Sequence, residues 1–156
     1  MKLCSTCAAL AALLLTTVAI AQTPASTAVD LDAVQATVGN WSYRPITGGS
    51  EADFADSGGH VRLTVRCSRT SRLISIIRSG MTAAAPALVI TTTYGARSLA
   101  ASFAAGNLTA AVAANDPLFD DIAFTRGKWA VANAGVAALV VPSWADATRV
   151  FEDCRS

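Results

Sequence analysis

The chain has 156 residues, with 12 basic residues (Lys and Arg), 11 acidic residues (Asp and Glu) and a single histidine. Lys2 is the one charged residue before position 22, so the rest of the chain carries equal numbers of basic and acidic side chains. This balance argues against a nucleic-acid binder or a general binder of anionic membranes, since both need a basic excess.

The first predicted element is an export signal in residues 1–21. Lys2 supplies the positive charge, residues 3–20 form an apolar stretch, and Ala19-Ile20-Ala21 has the small-x-small pattern that signal peptidase cleaves. The mature chain is then expected to begin at Gln22 and to work in the periplasm or outside the cell. The abundance of alanine and arginine, by association, suggests a bacterial genome of high GC content.

Two alternatives to cleavage are open. An uncleaved membrane anchor needs about 20 apolar residues, but Thr16 and Thr17 interrupt this stretch and a polar segment follows it. A lipoprotein needs its cysteine just after the apolar core, whereas Cys4 and Cys7 precede it. We therefore expect no stable membrane span after cleavage.

The mature chain is predicted to contain one domain. Residues 22–36 are rich in Thr, Ala and Pro and are expected to form a flexible N-terminal segment. Residues 37–156 have the size of a single domain with a real core.

Short strands dominate the prediction for the first half of the domain. Residues 38–44 are the first strand candidate, and residues 45–59, with Pro45, several glycines and acids, are expected to form a long polar loop. Residues 61–67 and 72–78 predict an antiparallel hairpin with a four-residue connection.

Further hairpins are predicted from the same kind of pattern. Residues 88–94 and 98–103 are expected to pair across a turn at Gly95-Ala96, and residues 108–114 to form another strand. Residues 128–133 and 136–141 predict a third hairpin.

Two helices are predicted. The first lies near 116–126, with Asp116 as N-cap, Pro117 at the first helical position and Gly127 as the stop signal. The second lies near 143–155, where Ser143 and Asp146 resemble a capping box. The face predicted to point inward is made of Trp144, Ala147, Phe151 and Cys154.

These elements together predict an α+β fold. An antiparallel sheet of short hairpins is expected to carry the two helices packed on it. Both the strand order and the oligomeric state are open at this stage.

Two cysteines remain in the mature chain, and they are expected to form a disulfide that braces the domain. Cys67 shares one face of its strand with Val61, Leu63 and Val65, and Cys154 lies on the apolar face of the last helix. Both thiols are therefore predicted to face the core in an oxidising compartment. No zinc ligand set or C-x-x-C motif remains after cleavage, so no metal or other cofactor is predicted.

The C-terminal third resembles a known group of proteins. The residues that carry the resemblance are Asp116-Pro117-Leu118, Ile122-Ala123-Phe124-Thr125-Arg126-Gly127-Lys128-Trp129, Leu139-Val140-Val141-Pro142, Trp144, Arg149 and Glu152-Asp153-Cys154-Arg155. In this run the chain is similar to small uncharacterised secreted proteins of alphaproteobacterial genomes. The resemblance implies export and a single small domain, and it assigns no activity and no functional residue.

One enzymatic alternative depends on the single histidine. His60 could act with an acidic residue of the 51–56 loop as a general acid–base pair, as in a small extracytoplasmic hydrolase. The competing interpretation is an exposed structural histidine beside a solvated acidic loop. Burial of His60 within a concave pocket would favour the enzyme.

Two sets of residues are candidates for binding. Arg62 and Arg66 share the polar face of one predicted strand and could bind carboxylate or phosphate groups, because guanidinium forks match those anions. Alternatively, they pair with acids on the surface. Arg126, Lys128 and Trp129 combine cationic and aromatic groups, as recognition sites do, or they pack as core with solvated cationic tips.

The preferred function is a non-catalytic binding or structural module of the bacterial envelope. Its partner would be an envelope protein, a peptide or an anionic polymer. The prediction is based on a small disulfide-braced domain without a recognisable catalytic motif.

Overall fold

The computed structural model describes residues 28–156, so the predicted signal of residues 1–21 lies outside the described residues. Within this part the chain is β-rich, with ten strands in two antiparallel sheets and two helices. The strands are β1 (Gly39–Ile46), β2 (Gly49–Asp56), β3 (Val61–Ser68), β4 (Leu73–Ser79), β5 (Ala87–Thr92), β6 (Gly95–Ala100), β7 (Ser102–Ala104), β8 (Asn107–Ala113), β9 (Lys128–Ala132) and β10 (Leu139–Pro142). The helices are α1 (Leu118–Ala123) and α2 (Ala145–Arg155).

The sheets have different sizes and share one core. The six-stranded sheet has the order β1-β2-β3-β4-β8-β7, and the four-stranded sheet has the order β10-β9-β5-β6. Trp41 of β1 and Trp129 of β9 stack between them, with ring centroids 6.3 Å apart. This arrangement is broadly the predicted α+β class, but the strands divide into two sheets where one was expected.

Helix α2 covers one part of the inner face of the six-stranded sheet. It contacts β1, β2, β3 and β4, and its buried side chains are Ala147, Val150, Phe151 and Cys154. Phe151 packs on Phe119 of α1, with ring centroids 4.8 Å apart. The C-terminal helix is therefore part of the core.

The structure contains the disulfide that the sequence predicts. Cys67 of β3 and Cys154 of α2 are bonded, with their Cα atoms 5.5 Å apart and their positions 87 apart in sequence. Both side chains are buried. The bridge therefore joins the six-stranded sheet to α2, and a disulfide of this kind is consistent with an oxidising environment.

A buried arginine joins the two sheets. Arg78 of β4 is 3% exposed and points into the core beside Leu63 and Leu108. Burial lowers the pKa of its guanidinium to about 10, and the charge of Arg62 adds to the shift. The group donates to the backbone carbonyls of Val131 (2.8 Å) and Ala137 (2.9 Å), which partly offsets the cost of burying it.

The prediction of a long loop over residues 45–59 was wrong. β1 extends to Ile46, and Gly49–Asp56 form β2, which pairs with both β1 and β3. Ala52 and Phe54 face the core, while Glu51 and Asp53 lie on the other face. The glycines and acidic residues made this segment resemble a loop, so the alternation of inward and outward side chains was not recognised in the sequence.

Smaller corrections concern turns and caps. The turn between β5 and β6 consists of Thr93 and Tyr94, because Thr92 pairs with Gly95. The predicted strand over residues 98–103 is divided at Ala101, which separates β6 in one sheet from β7 in the other. The capping box is not formed, because α2 begins after Trp144 without a side-chain cap, and the Trp144 side chain is 43% exposed.

The segment before β1 lies along the four-stranded sheet. The N–H of Val29 donates to Thr91 Oγ1 (3.2 Å), and the N–H of Thr37 donates to the carbonyl of Val140 (2.8 Å). Residues 29–37 therefore reach from β5 to β10. Among the described residues, no helix has the length and apolar character needed to cross a membrane.

Candidate functional site

The two arginines of β3 are paired with carboxylates of the same surface. Arg66 donates from Nε to Glu51 Oε2 (2.6 Å), and Arg62 donates from Nη1 to Asp56 Oδ2 (3.0 Å). Their guanidiniums are therefore engaged by acids of β2. This geometry matches the alternative in which these arginines neutralise surface acids.

Strand register explains this pairing. Arg44, Glu51 and Arg66 lie opposite one another across β1, β2 and β3, so one carboxylate lies between two guanidiniums. Arg44 also bonds Asp53 (2.8 Å), and the charge of Asp53 is the main reason why the pKa of Arg44 is raised. Thr64 donates to the same Asp53 carboxylate. The outer face of these strands is therefore a network of opposite charges and not a basic surface.

His60 is near an acid but is not enclosed. Its Nδ1 lies 3.4 Å from Asp56 Oδ1, and its side chain is 81% exposed. The pKa of Asp56 is lowered, first by the hydrogen bond from the backbone of His60, and Arg62 adds to this effect. Asp56 is thus held as a carboxylate in a turn, an arrangement typical of a structural role.

The second predicted set is separated by the fold. Trp129 is fully buried and stacks on Trp41, so it has no surface to offer a ligand. Lys128 donates from Nζ to the carbonyl of Val34 (2.5 Å) and holds the N-terminal segment. Arg126 alone of the three lies in an open groove.

The groove that contains Arg126, here called the Arg126 groove, has a volume of about 500 Å³. It lies between the end of β5 and the N-terminal segment. Its lining residues are Val29, Asp30, Leu31, Asp32, Thr91, Thr92, Thr93 and Arg126.

Hydrogen bonds between two loops form the rim of this groove. The N–H of Thr93, at the β5–β6 turn, donates to Thr125 Oγ1 (2.8 Å), and the two threonine hydroxyls are 3.1 Å apart. The hydroxyl of Tyr94 donates to the carbonyl of Phe124 (3.3 Å). These bonds fix the turn against the α1–β9 connection next to Arg126.

Two exposed aromatic residues accompany the arginine at this rim. Tyr94 is 62% exposed and Phe124 is 69% exposed. Large exposed aromatic side chains are enriched at binding surfaces, as arginine is.

In two other grooves of the described residues, the arginines are engaged by the protein itself. In a groove of about 590 Å³, Arg72 donates to the carbonyls of Arg155 and Ser156, and Arg155 bonds Asp120 (2.6 Å). In a groove of about 310 Å³, Arg149 lies over the ring of Tyr43, 4.2 Å from its centroid. Over residues 28–156, by contrast, Arg126 has no carboxylate within 4.0 Å.

The groove can bind by ionic, polar and apolar contacts at once. Arg126 offers donors for a carboxylate or phosphate, the threonine hydroxyls offer further hydrogen bonds, and Val29 and Leu31 offer apolar area. The carboxylate of Asp30 accepts the N–H groups of Asp32 (3.0 Å) and Ala33 (3.3 Å), which shapes the opposite wall. In residues 28–156 no three side chains of the metal-ligating types come together.

Sequence reasoning found Arg126 but missed Tyr94, Phe124 and the three threonines. A signal was present in the run Thr91-Thr92-Thr93-Tyr94-Gly95, which places an aromatic residue at a tight turn. Comparisons of the chain with protein-family models, curated proteins and solved structures each returned no match.

Proposed function

We propose that this protein is a non-catalytic binding module of the bacterial envelope, periplasmic or secreted, and that it binds its ligand in the Arg126 groove. The disulfide and the sequence pattern of the predicted export signal support the compartment.

The observation that carries the proposal is the pairing state of the arginines. The guanidiniums of Arg62 and Arg66 are held by carboxylates, whereas Arg126 lines an open groove and, over residues 28–156, has no carboxylate within 4.0 Å. A ligand that replaces water at a paired arginine must first break an ion pair, but a ligand at Arg126 gains a charge-assisted hydrogen bond without that cost.

The groove lining holds one cation, Arg126, and two acids, Asp30 and Asp32. It therefore favours a ligand that places a carboxylate or phosphate on Arg126 and offers hydrogen-bond donors to the acids, with an apolar group for Val29 and Leu31. A peptide or protein segment with a carboxylate near a large side chain fits this description, and so does an envelope polymer with carboxylate or phosphate groups. Binding of either kind weakens as salt rises, because the ionic contact is at the surface.

Affinity capture from envelope extract tests the proposal. The mature protein, immobilised through its N-terminus, is compared with an Arg126→Gln variant, which removes the one positive charge of the groove lining. Arg69→Gln is the matched control, because Arg69 is an exposed arginine in the turn between β3 and β4. We expect the wild type and the Arg69 variant to capture the same material, and the Arg126 variant to lose it.

A small hydrolase is the second candidate, and the contact between His60 and Asp56 is the observation in its favour. The exposure of His60 counts against it, because general acid–base catalysis in such a pair needs an enclosed site for the substrate. Loss of a biological activity in His60→Ala, with the fold retained, would favour this candidate over the binding module.

A further inference from the structure

Strand β6 is an edge of the four-stranded sheet. Five of its six residues are exposed, and Leu99 is the buried one. An edge strand presents unpaired N–H and C=O groups to solvent and can therefore pair with another strand.

The register shows which backbone groups are free. Ala101 donates to the carbonyl of Pro86 (3.0 Å), and Ala100 lies opposite Ala87, so hydrogen-bonded and non-hydrogen-bonded pairs alternate from this point along the hairpin. By this alternation Ala96, Ser98 and Ala100 direct their N–H and C=O groups away from β5.

The other sheet edges are shorter or protected. In β10, the carbonyl of Val140 accepts a hydrogen bond from the N–H of Thr37 (2.8 Å). Strand β7 has only three residues. β1 contains Pro45, which lacks a backbone N–H and interrupts the row of donors along that edge. Strand β6 has no Pro, Lys or acidic residue, which are the usual means of keeping an edge from pairing.

We propose that β6 pairs with β6 of a second copy of this chain and forms an antiparallel dimer whose two-fold axis passes beside Ser98. In this register Ser98 lies opposite Ser98 of the other copy, and Ala96 lies opposite Ala100. Each of Ala96, Ser98 and Ala100 then lies opposite one of these residues in the other copy. The exposed N–H and C=O groups of the two strands therefore form hydrogen bonds with each other.

The side chains favour a second copy over a foreign segment. The pattern small-x-small-x-small is symmetric about Ser98, so the same strand is its own complement. Arg97 forms a bidentate pair with Asp116, with Nη2 2.9 Å from Oδ2, and its charge is therefore neutralised at the interface. No like charges face each other across the two-fold axis.

Disulfide trapping tests the dimer. Opposed residues of a hydrogen-bonded antiparallel pair have Cα atoms about 5.5 Å apart, which is within the range of a disulfide. The mature Ser98→Cys protein should form a covalent dimer under mild oxidation. Ser57→Cys, in the exposed turn between β2 and β3, is the matched control and should stay monomeric.

Sedimentation equilibrium tests the uncrosslinked protein. We expect a monomer–dimer equilibrium in the wild type and a dissociation constant raised about tenfold or more in Ser98→Pro. The ring removes an N–H that points away from β5, so the fold should persist, as circular dichroism can verify. Ser98→Lys is the second variant, because it places like charges at the axis.

Equal crosslinking of the two cysteine variants would overturn the proposal. So would a wild-type protein that stays monomeric to millimolar concentration, or a dimer that Ser98→Pro and Ser98→Lys leave unchanged. A monomer whose β6 instead binds an extended segment of another protein would overturn the second copy as the occupant of this edge.

Discussion

Arg78 of β4 donates a hydrogen bond of 2.8 Å to the backbone carbonyl of Val131 in β9, and this bond joins the two sheets through a buried guanidinium. The same guanidinium also donates a hydrogen bond to the backbone carbonyl of Ala137 (2.9 Å), so one side chain binds two carbonyl groups. Conversion to Lys keeps the buried charge but cannot reproduce the fork of donors. We expect Arg78→Lys to lower the free energy of unfolding by about 1–3 kcal/mol.

Urea denaturation measures this effect. Arg69→Lys is the control, because Arg69 is exposed and the change should be nearly neutral there. An Arg78→Lys protein as stable as the wild type would show that the fork of hydrogen bonds contributes nothing.

The disulfide should contribute much of the stability of the domain. Because it closes a loop between residues 87 positions apart, we expect Cys154→Ala to lower the free energy of unfolding by roughly 2–5 kcal/mol. Adding Cys67→Ala to this variant should cost little more, since the bridge is already lost. Thiol titration of the denatured exported wild type should give almost no signal, and two reactive thiols per chain would contradict the bridge.

Acid should destabilise the protein in part through Asp116. The hydrogen bond from Arg97 is the main reason why the pKa of Asp116 lies below its ordinary value of 3.8, and the N–H of Leu118 adds to the shift. A carboxyl with a lowered folded-state pKa stabilises the fold above its unfolded-state pKa, and this stability is lost as pH falls through the folded-state value.

Thermal denaturation at pH 7 and at pH 3 measures this contribution. The predicted N-cap at Asp116 was wrong, because α1 begins at Leu118 after Pro117, but Asp116 Oδ1 still accepts the N–H of Leu118 (2.9 Å). Asp116→Asn keeps a side-chain oxygen for this bond and removes the charge, so its melting temperature should fall less between the two pH values than that of the wild type. Identical pH dependence of the melting temperature in both proteins would show that Asp116 does not contribute to destabilisation by acid.

Replacement of His60 should have little consequence. Its side chain is 81% exposed, and surface changes of this kind are usually worth less than about 0.5 kcal/mol. We expect His60→Ala to retain the stability, the fold and the capture of envelope material seen in the wild type. Loss of biological function without loss of fold would instead support the hydrolase.

Local patterns were sufficient to predict several parts of the fold. The alternation of Val61, Leu63, Val65 and Cys67 predicts the β3–β4 hairpin and an inward thiol, and the structure confirms both. The C-terminal helix was also predictable, because Ala147, Phe151 and Cys154 recur at helical spacing and are buried.

Other parts depend on contacts between distant segments. The pairing of Arg66 with Glu51 requires β2, which the loop prediction had removed, and the register that places the two residues together. The Arg126 groove combines residues near positions 30, 92 and 126, and no local pattern shows that they meet. The division into two sheets depends on the change of direction at Ala101, which carries no Gly or Pro signal.

Binding in the Arg126 groove is tested most directly by mapping the bound ligand on the protein by NMR. The material captured from envelope extract is added to ¹⁵N-labelled mature protein, and amide shifts are followed residue by residue. If the ligand binds in the Arg126 groove, the largest shifts lie in residues 91–94, 124–126 and 30–32, and Arg126→Gln abolishes them. Shifts concentrated in β3 around Arg62 and Arg66, and unaffected by Arg126→Gln, would contradict it.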